Sequence, residues 1–242
     1  MAIVINGTGT LTGLSQGGLP DSSVDDDTLA SGISASKLTG TLPAISGANL
    51  TNLPSTSTAD IRTAVTLQIT ADNNIGLGAN AVDSITTGDH NVGLGVSALT
   101  SNTEGSKNIA VGRTALNNNT TASGNSAIGS GALYTNTTGA NNTSVGLESM
   151  YTNTTGAGNS AFGAQALDAN TTGASNTGLG FYALSGNTTG TFNTSVGKYA
   201  LYSNTTASSN TAVGYDSLQG NTTGINSTAV GRLALQANTT GQ

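Results

Sequence analysis

The sequence predicts an all-β chain: a parallel β-solenoid of ten 17-residue coils over residues 71–242, preceded by an extended segment over residues 1–70. Three observations predict it. A motif returns every 17 residues without a slip, and two of its columns are apolar in every copy. The polar remainder is rich in Gly, Asn and Thr, which favour turns and strands over helix interiors.

The repeat is read from the glycine of N-x-x-φ-G, at Gly78, Gly95, Gly112, Gly129, Gly146, Gly163, Gly180, Gly197, Gly214 and Gly231. The leading Asn is present in every copy but the last, where Ser227 replaces it. A period that never slips implies coil stacked on coil, because one insertion would break every ladder beyond it. At roughly 4.8 Å per coil, ten coils make a rod about 45 Å long.

One residue before the glycine stands a first apolar column: Leu77, Leu94, Val111, Ile128, Val145, Phe162, Leu179, Val196, Val213 and Val230. Four after it runs a second: Val82, Leu99, Leu116, Leu133, Met150, Leu167, Leu184, Leu201, Leu218 and Leu235. Both are expected inside, as stacked core ladders. The residue before the second column is always Ala or Ser, small enough to let the walls approach. Seven after the glycine comes Asn, from Asn102 through Asn238, with Ile85 in the first copy. Gly and Asn are expected at tight corners that need positive φ, and stacked Asn also forms amide ladders.

Two large apolar side chains per coil make a thin core. At roughly 1.5–3 kcal/mol each they scarcely offset the ordering of the coil. The sequence therefore predicts a tight homo-oligomer, a trimer first. The Asn-Thr-Thr-Gly corner recurring every 17 residues, with Ile85, Glu104, Ala122 and Ala207 its exceptions, excludes long helices.

Composition excludes several function classes. Only 7% of the 242 residues are charged, against roughly 25% in ordinary soluble domains. There is no Cys, hence no disulfide and no thiol nucleophile. Six basic residues against twelve acidic ones argue against a nucleic-acid partner. No apolar run approaches the ~20 residues of a membrane span, and MAIVINGTGTLTGL lacks the pattern of a secretory signal.

No catalytic, cofactor-binding or metal constellation is expected. His90 is the single histidine, at a corner between coils. Asp83, Asp89, Glu104, Glu148, Asp168 and Asp216 fall in variable columns without a repeated pairing, and the post-glycine loops lack the Lys of a phosphate loop. Tyr134, Tyr151, Tyr182, Tyr199, Tyr202 and Tyr215, with Phe181, lie one, two or five residues past the motif glycine, outside the core columns. Outward aromatics suit either a chain–chain interface or a sugar-binding surface, and both readings stand.

In the N-terminal segment, Ile3 to Leu14 alternates as a short strand or hairpin with Gly turns. Asp25-Asp-Asp27 before Thr28 and the run Asp60 to Val65 suit short helical turns. TLASGISASKLTGTLPAISGANLTNLP, Thr28 to Pro54, resembles the linker near the N-termini of tailed-phage fibre proteins. Its core K-L-x-G-x-L-P-A-I-x-G-x-x-L-T-N-L-P is matched by Lys37 to Pro54, and the opening MAIVINGTGTLTGLSQGGLPDSSV is similar to the starts of fibre-like proteins of marine phages. The later N-T-A-V-G-x-x-A-L-x-x-N-T-T-G copies resemble repeats of phage and bacterial surface proteins. Their N-x-A-V-G part is similar to the head repeats of trimeric autotransporter adhesins, which form left-handed β-rolls in trimers.

The resemblance implies a structural virion protein, a trimeric tail or head fibre assembled in the host cytoplasm and exposed on the particle. Its partners would be itself, other virion proteins through residues 1–70, and a host-surface glycan; no cofactor, nucleic acid or membrane insertion is expected. A bacterial surface adhesin is the alternative. An ice-binding solenoid is a third, set back because adjacent Thr such as Thr137 and Thr138 should point to opposite faces.

Overall fold

The computed structural model describes Val4–Ile5, Leu11–Thr12, Leu67–Thr70 and residues 73–241. The chain divides into two compact units, Met1–Leu53 and Pro54–Gln242. In the first, β1 (Val4–Ile5) pairs antiparallel with β2 (Leu11–Thr12), the hairpin expected from the alternation there. The expected helical turns and the fibre-like linker, Lys37 to Pro54, lie outside the described residues.

The second unit is a β-solenoid. Its 11-stranded sheet starts with β3 (Leu67–Thr70) and β4 (Asn74–Leu77), which pair antiparallel, Ile69 opposite Ile75. From β4 onward every pairing is parallel: β5 (Val92–Leu94), β6 (Ile109–Val111), β7 (Ser126–Ile128), β8 (Thr143–Val145) and β9 (Ser160–Phe162). The series continues with β10 (Thr177–Leu179), β11 (Thr194–Val196), β12 (Thr211–Val213) and β13 (Thr228–Val230). Each residue faces its equivalent one repeat away, as in Val145 opposite Phe162. The unslipping period of the sequence is this register.

The core is narrower than expected, and one ladder changes sides. Along each strand the middle residue points inward and its two neighbours point out, the alternation of any strand. The inward column is Gly, Ala or Ser in every coil, for example Ala110, Ala127, Ser144 and Ala161, all buried. The first apolar column sits outside. Leu77, Ile128, Phe162, Leu179 and Val230 are exposed, Val230 to 70%, and Leu94, Val111, Val145, Val196 and Val213 are only half-buried. The reason is width: an added Cβ on Gly178 would stand 3.4 Å from Leu167 Cγ, so the strand wall has room only for small residues.

The second column is the core. Val82, Leu99, Leu116, Leu133, Met150, Leu167, Leu184, Leu201 and Leu218 are fully buried, with Leu235 of the tenth coil exposed. These residues adopt left-handed φ, 52° at Leu133 and 53° at Leu167, a conformation that costs an L-residue roughly 1–2 kcal/mol. The turn is held because each such N–H, from Val82 to Leu218, donates to the next coil, as Leu133 N to Ser149 O at 3.0 Å.

Two buried asparagine ladders complete the interior, the amide stacking expected of them, although the ladder residues do not take the positive φ expected at corners. At Asn91, both the backbone N and Nδ2 donate to Asn74 Oδ1, at 2.8 and 3.0 Å, and Nδ2 also donates to Gly105 O. In the other ladder Asn153 Nδ2 donates to Asn136 Oδ1 and Gly156 O, while its own oxygen accepts from Asn170 Nδ2. Buried amides are affordable here because each finds partners.

Leu167→Ala is expected to leave a hole that backbone-locked walls cannot close, lowering stability by about 2–5 kcal/mol, as read by a denaturant melt. Val145→Ser, in the outward column, is expected to leave the stability of the single chain nearly unchanged in the same melt.

Candidate functional site on the aromatic face

Past the motif glycine the chain turns, and residues one, two and five places on point outward while those three and four on point in. Every tyrosine and Phe181 therefore lands on one face of the solenoid. Equivalent rings in adjacent coils are one strand spacing apart, close to the stacking distance of aromatic rings. Tyr134 and Tyr151 stack with centroids 4.9 Å apart and planes 7° from parallel. Tyr182 stacks on Tyr199 at 5.6 Å, with Phe181 and Tyr202 meeting them edge-on.

Cations occupy the column just past the glycine. Lys198 Nζ lies 4.9 Å from the Tyr199 centroid and 5.6 Å from that of Phe181. Arg232 covers the Tyr215 ring at 5.7 Å. Arg113 is the third cation; among the described residues its guanidinium makes no ion pair or ring contact. The acids on this face are Asp83, Glu148, Asp168 and Asp216. Burial, and secondarily the Glu148 charge, raises the Asp168 carboxyl above its ordinary value. Asp216 is buried, with Oδ1 lacking a hydrogen-bond partner among the described residues.

The aromatic face is notched at Gly131. A cavity of about 240 Å³ is lined there by Arg113, Thr114, Ser130, Gly131, Tyr134, Glu148 and Tyr151. In the same column the other nine coils carry side chains, such as Thr114 before it and Glu148 after it. Glu148 Oε2 accepts a hydrogen bond from Gln165 Nε2 at 3.2 Å, which orients the carboxylate. The sequence reading found the tyrosines but missed the notch. The signal was present as the lone glycine of its column.

His90 lies away from this face, exposed, with Nδ1 3.2 Å from Asp89 Oδ2 and Nε2 3.5 Å from Asn73 Nδ2. The Ser106 hydroxyl foremost, with His90 and Lys107, holds the Asp89 carboxyl below its ordinary value, against a smaller desolvation effect. Among the described residues no group of three or more His, Cys, Asp or Glu could hold a metal ion. Glu104 is exposed and stands apart from these acids.

The first Thr of each Thr-Thr pair is engaged within the wall, as Thr137 Oγ1 donates to Thr154 O at 3.0 Å and Thr154 Oγ1 to Thr171 O at 3.0 Å. The second, as at Thr138, Thr155 and Thr172, is exposed, and so is the first at Thr86, Thr205 and Thr239. The chain matches no protein-family model, no curated protein and no solved structure.

Proposed function

We propose that the chain is a structural fibre protein of a virion, with the solenoid as a stiff projecting rod, three chains associated along their length, and residues 1–70 as the attachment segment. The observation that carries this reading is the outward apolar column. Ile128, Phe162, Leu179 and Val230, with half-buried Val111, Val145, Val196 and Val213 among them, form a stripe along the sheet. In the first three coils the stripe is doubled by Ile75, Val92 and Ile109. Water-exposed aliphatic side chains at each coil spacing are a continuous cost for a lone rod and a driving force for side-by-side copies.

Rigidity follows from the same stack. Parallel pairing, two amide ladders and a leucine ladder tie each coil to the next, so bending must stretch several bonds at once. The aromatic face would supply contact with a host surface, and the apolar stripe the contact between chains.

The test is the mass of the full chain in solution, by light scattering or sedimentation. A trimer is expected, and the double change Val145→Ser with Phe162→Ser is expected to shift it towards monomer without unfolding the coil. A monomeric wild-type chain would overturn the fibre reading.

A further inference from the structure

We infer that the notch at Gly131 is a binding site for one neutral pyranose unit of a surface glycan. The notch exists because a side chain is missing from a ladder. A Cβ on Gly131 would stand 3.3 Å from Tyr151 Cδ2 and 3.4 Å from Glu148 Cγ, so the absent atom is the space between an aromatic edge and an acidic stem. Gly131 is buried and forms the floor, with φ at 69°. Tyr134 and Tyr151, locked against each other at 4.9 Å, form one rigid wall.

The polar groups converge in a way that selects hydroxyls. Arg113 is exposed on one side and offers donors that nothing in the described residues engages. Glu148 stands two coils further along, an acceptor oriented by Gln165. An anion would gain at Arg113 and be repelled at Glu148, and a cation the reverse; a neutral polyol uses both, giving hydrogen to the carboxylate and accepting it from the guanidinium. Thr114 and Ser130 add hydroxyls at the rim, and the partly positive edge of Tyr151 suits a sugar oxygen. At about 240 Å³ the notch lies below the roughly 300–1,000 Å³ of pockets for drug-sized ligands, room for one ring and not for a chain.

The assignment takes its biological setting from the projecting-rod reading, yet every residue of the site belongs to one chain. The experiment is saturation-transfer NMR on the full chain with methyl glycosides of glucose, galactose and mannose, and with methyl glucuronide. Transfer to at least one neutral glycoside is expected. Gly131→Asn should abolish it while the chain still melts cooperatively, since Asn80 holds φ at 58° in the equivalent place and the added Cβ meets only side chains. Arg113→Gln should weaken it about tenfold, the worth of one charge-assisted hydrogen bond. Transfer to no neutral glycoside, to the glucuronide only, or undiminished in Gly131→Asn would overturn the site. The mass of the same sample keeps the two readings apart. A trimer that binds nothing loses the sugar site and keeps the rod, whereas a monomer that binds keeps the site and loses the trimeric rod.

Discussion

Gly129→Ala is expected to abolish cooperative folding of the solenoid, a loss above about 4 kcal/mol. An added Cβ there would lie closer than van der Waals contact to the backbone of the coil above, 2.6 Å from Gly146 C and 3.3 Å from its Cα, nearer still to its carbonyl oxygen. Neither partner is a movable side chain. The φ at Gly129 is 140°, outside the range that an L-residue adopts without strain. Crowding and backbone conformation thus act together, and relief by tilting one coil would break register with the next.

The informative comparison is Gly139→Ala. A Cβ on Gly139 also meets a backbone oxygen, that of Gly156, yet its column already holds Ala122 and Ala207 in other coils. Those coils hold alanine at the same place in the turn, and Gly139 is not among the residues of positive φ. Thermal melts followed by circular dichroism should show Gly139→Ala near wild type and Gly129→Ala without a transition. Equal melts for the two variants would refute the steric account.

Asn153→Leu is expected to cost about 2–6 kcal/mol: Asn136 Oδ1 is left without a donor, roughly 1–3 kcal/mol, and two further bonds worth roughly 0.5–1.5 kcal/mol each are lost from Gly156 O and Asn170 Nδ2, which keep their other partners. The change removes the donor to Asn136 Oδ1 at 2.8 Å, the donor to Gly156 O at 3.0 Å, and the acceptor of Asn170 Nδ2 at 2.7 Å. Leucine would fill similar volume, so the loss reads the amides and not a cavity. Asn238→Leu is the control. Its bonds to Asn221 and Gly241 are 3.3 and 3.4 Å long, and its coil is the most exposed of the stack, so a change near zero is expected in the same urea melt. Hydrogen exchange should localise the Asn153→Leu damage to the coils on either side. A uniform loss along the chain, or none, would contradict a ladder built of neighbour-to-neighbour bonds.

The architecture was legible because repetition is a property of spacing. Gly78 to Gly231 advance by one step each time, and register follows from counting alone. Which way each column points was harder. Val145 and Met150 are both apolar in an unbroken column, and hydrophobicity does not distinguish a wall's inner side from an outer side covered by another chain. The deciding feature was the column between Thr143 and Val145, held by Ser144 and elsewhere only by Gly, Ala or Ser. A column restricted to small residues reports where two walls nearly touch. The asparagine ladders could be read from the repeat, but not their depth: Asn102 and Asn119 are buried because like amides stacked at strand spacing satisfy one another. The tyrosine face could be read from the sequence, whereas the Gly131 notch required the ring positions of Tyr134 and Tyr151.

The side-chain amides all run in one sense. Asn119 donates to Asn102, Asn136 to Asn119, Asn153 to Asn136 and Asn170 to Asn153, always from the later coil to the earlier, and the second ladder follows the same direction. Their dipoles therefore add instead of cancelling, much as peptide units do in a helix. Each amide ladder thus has an electrical head and tail of its own, positive towards its first coil and negative towards its last, set against backbone bonds such as Leu99 N to Ala115 O that run the opposite way.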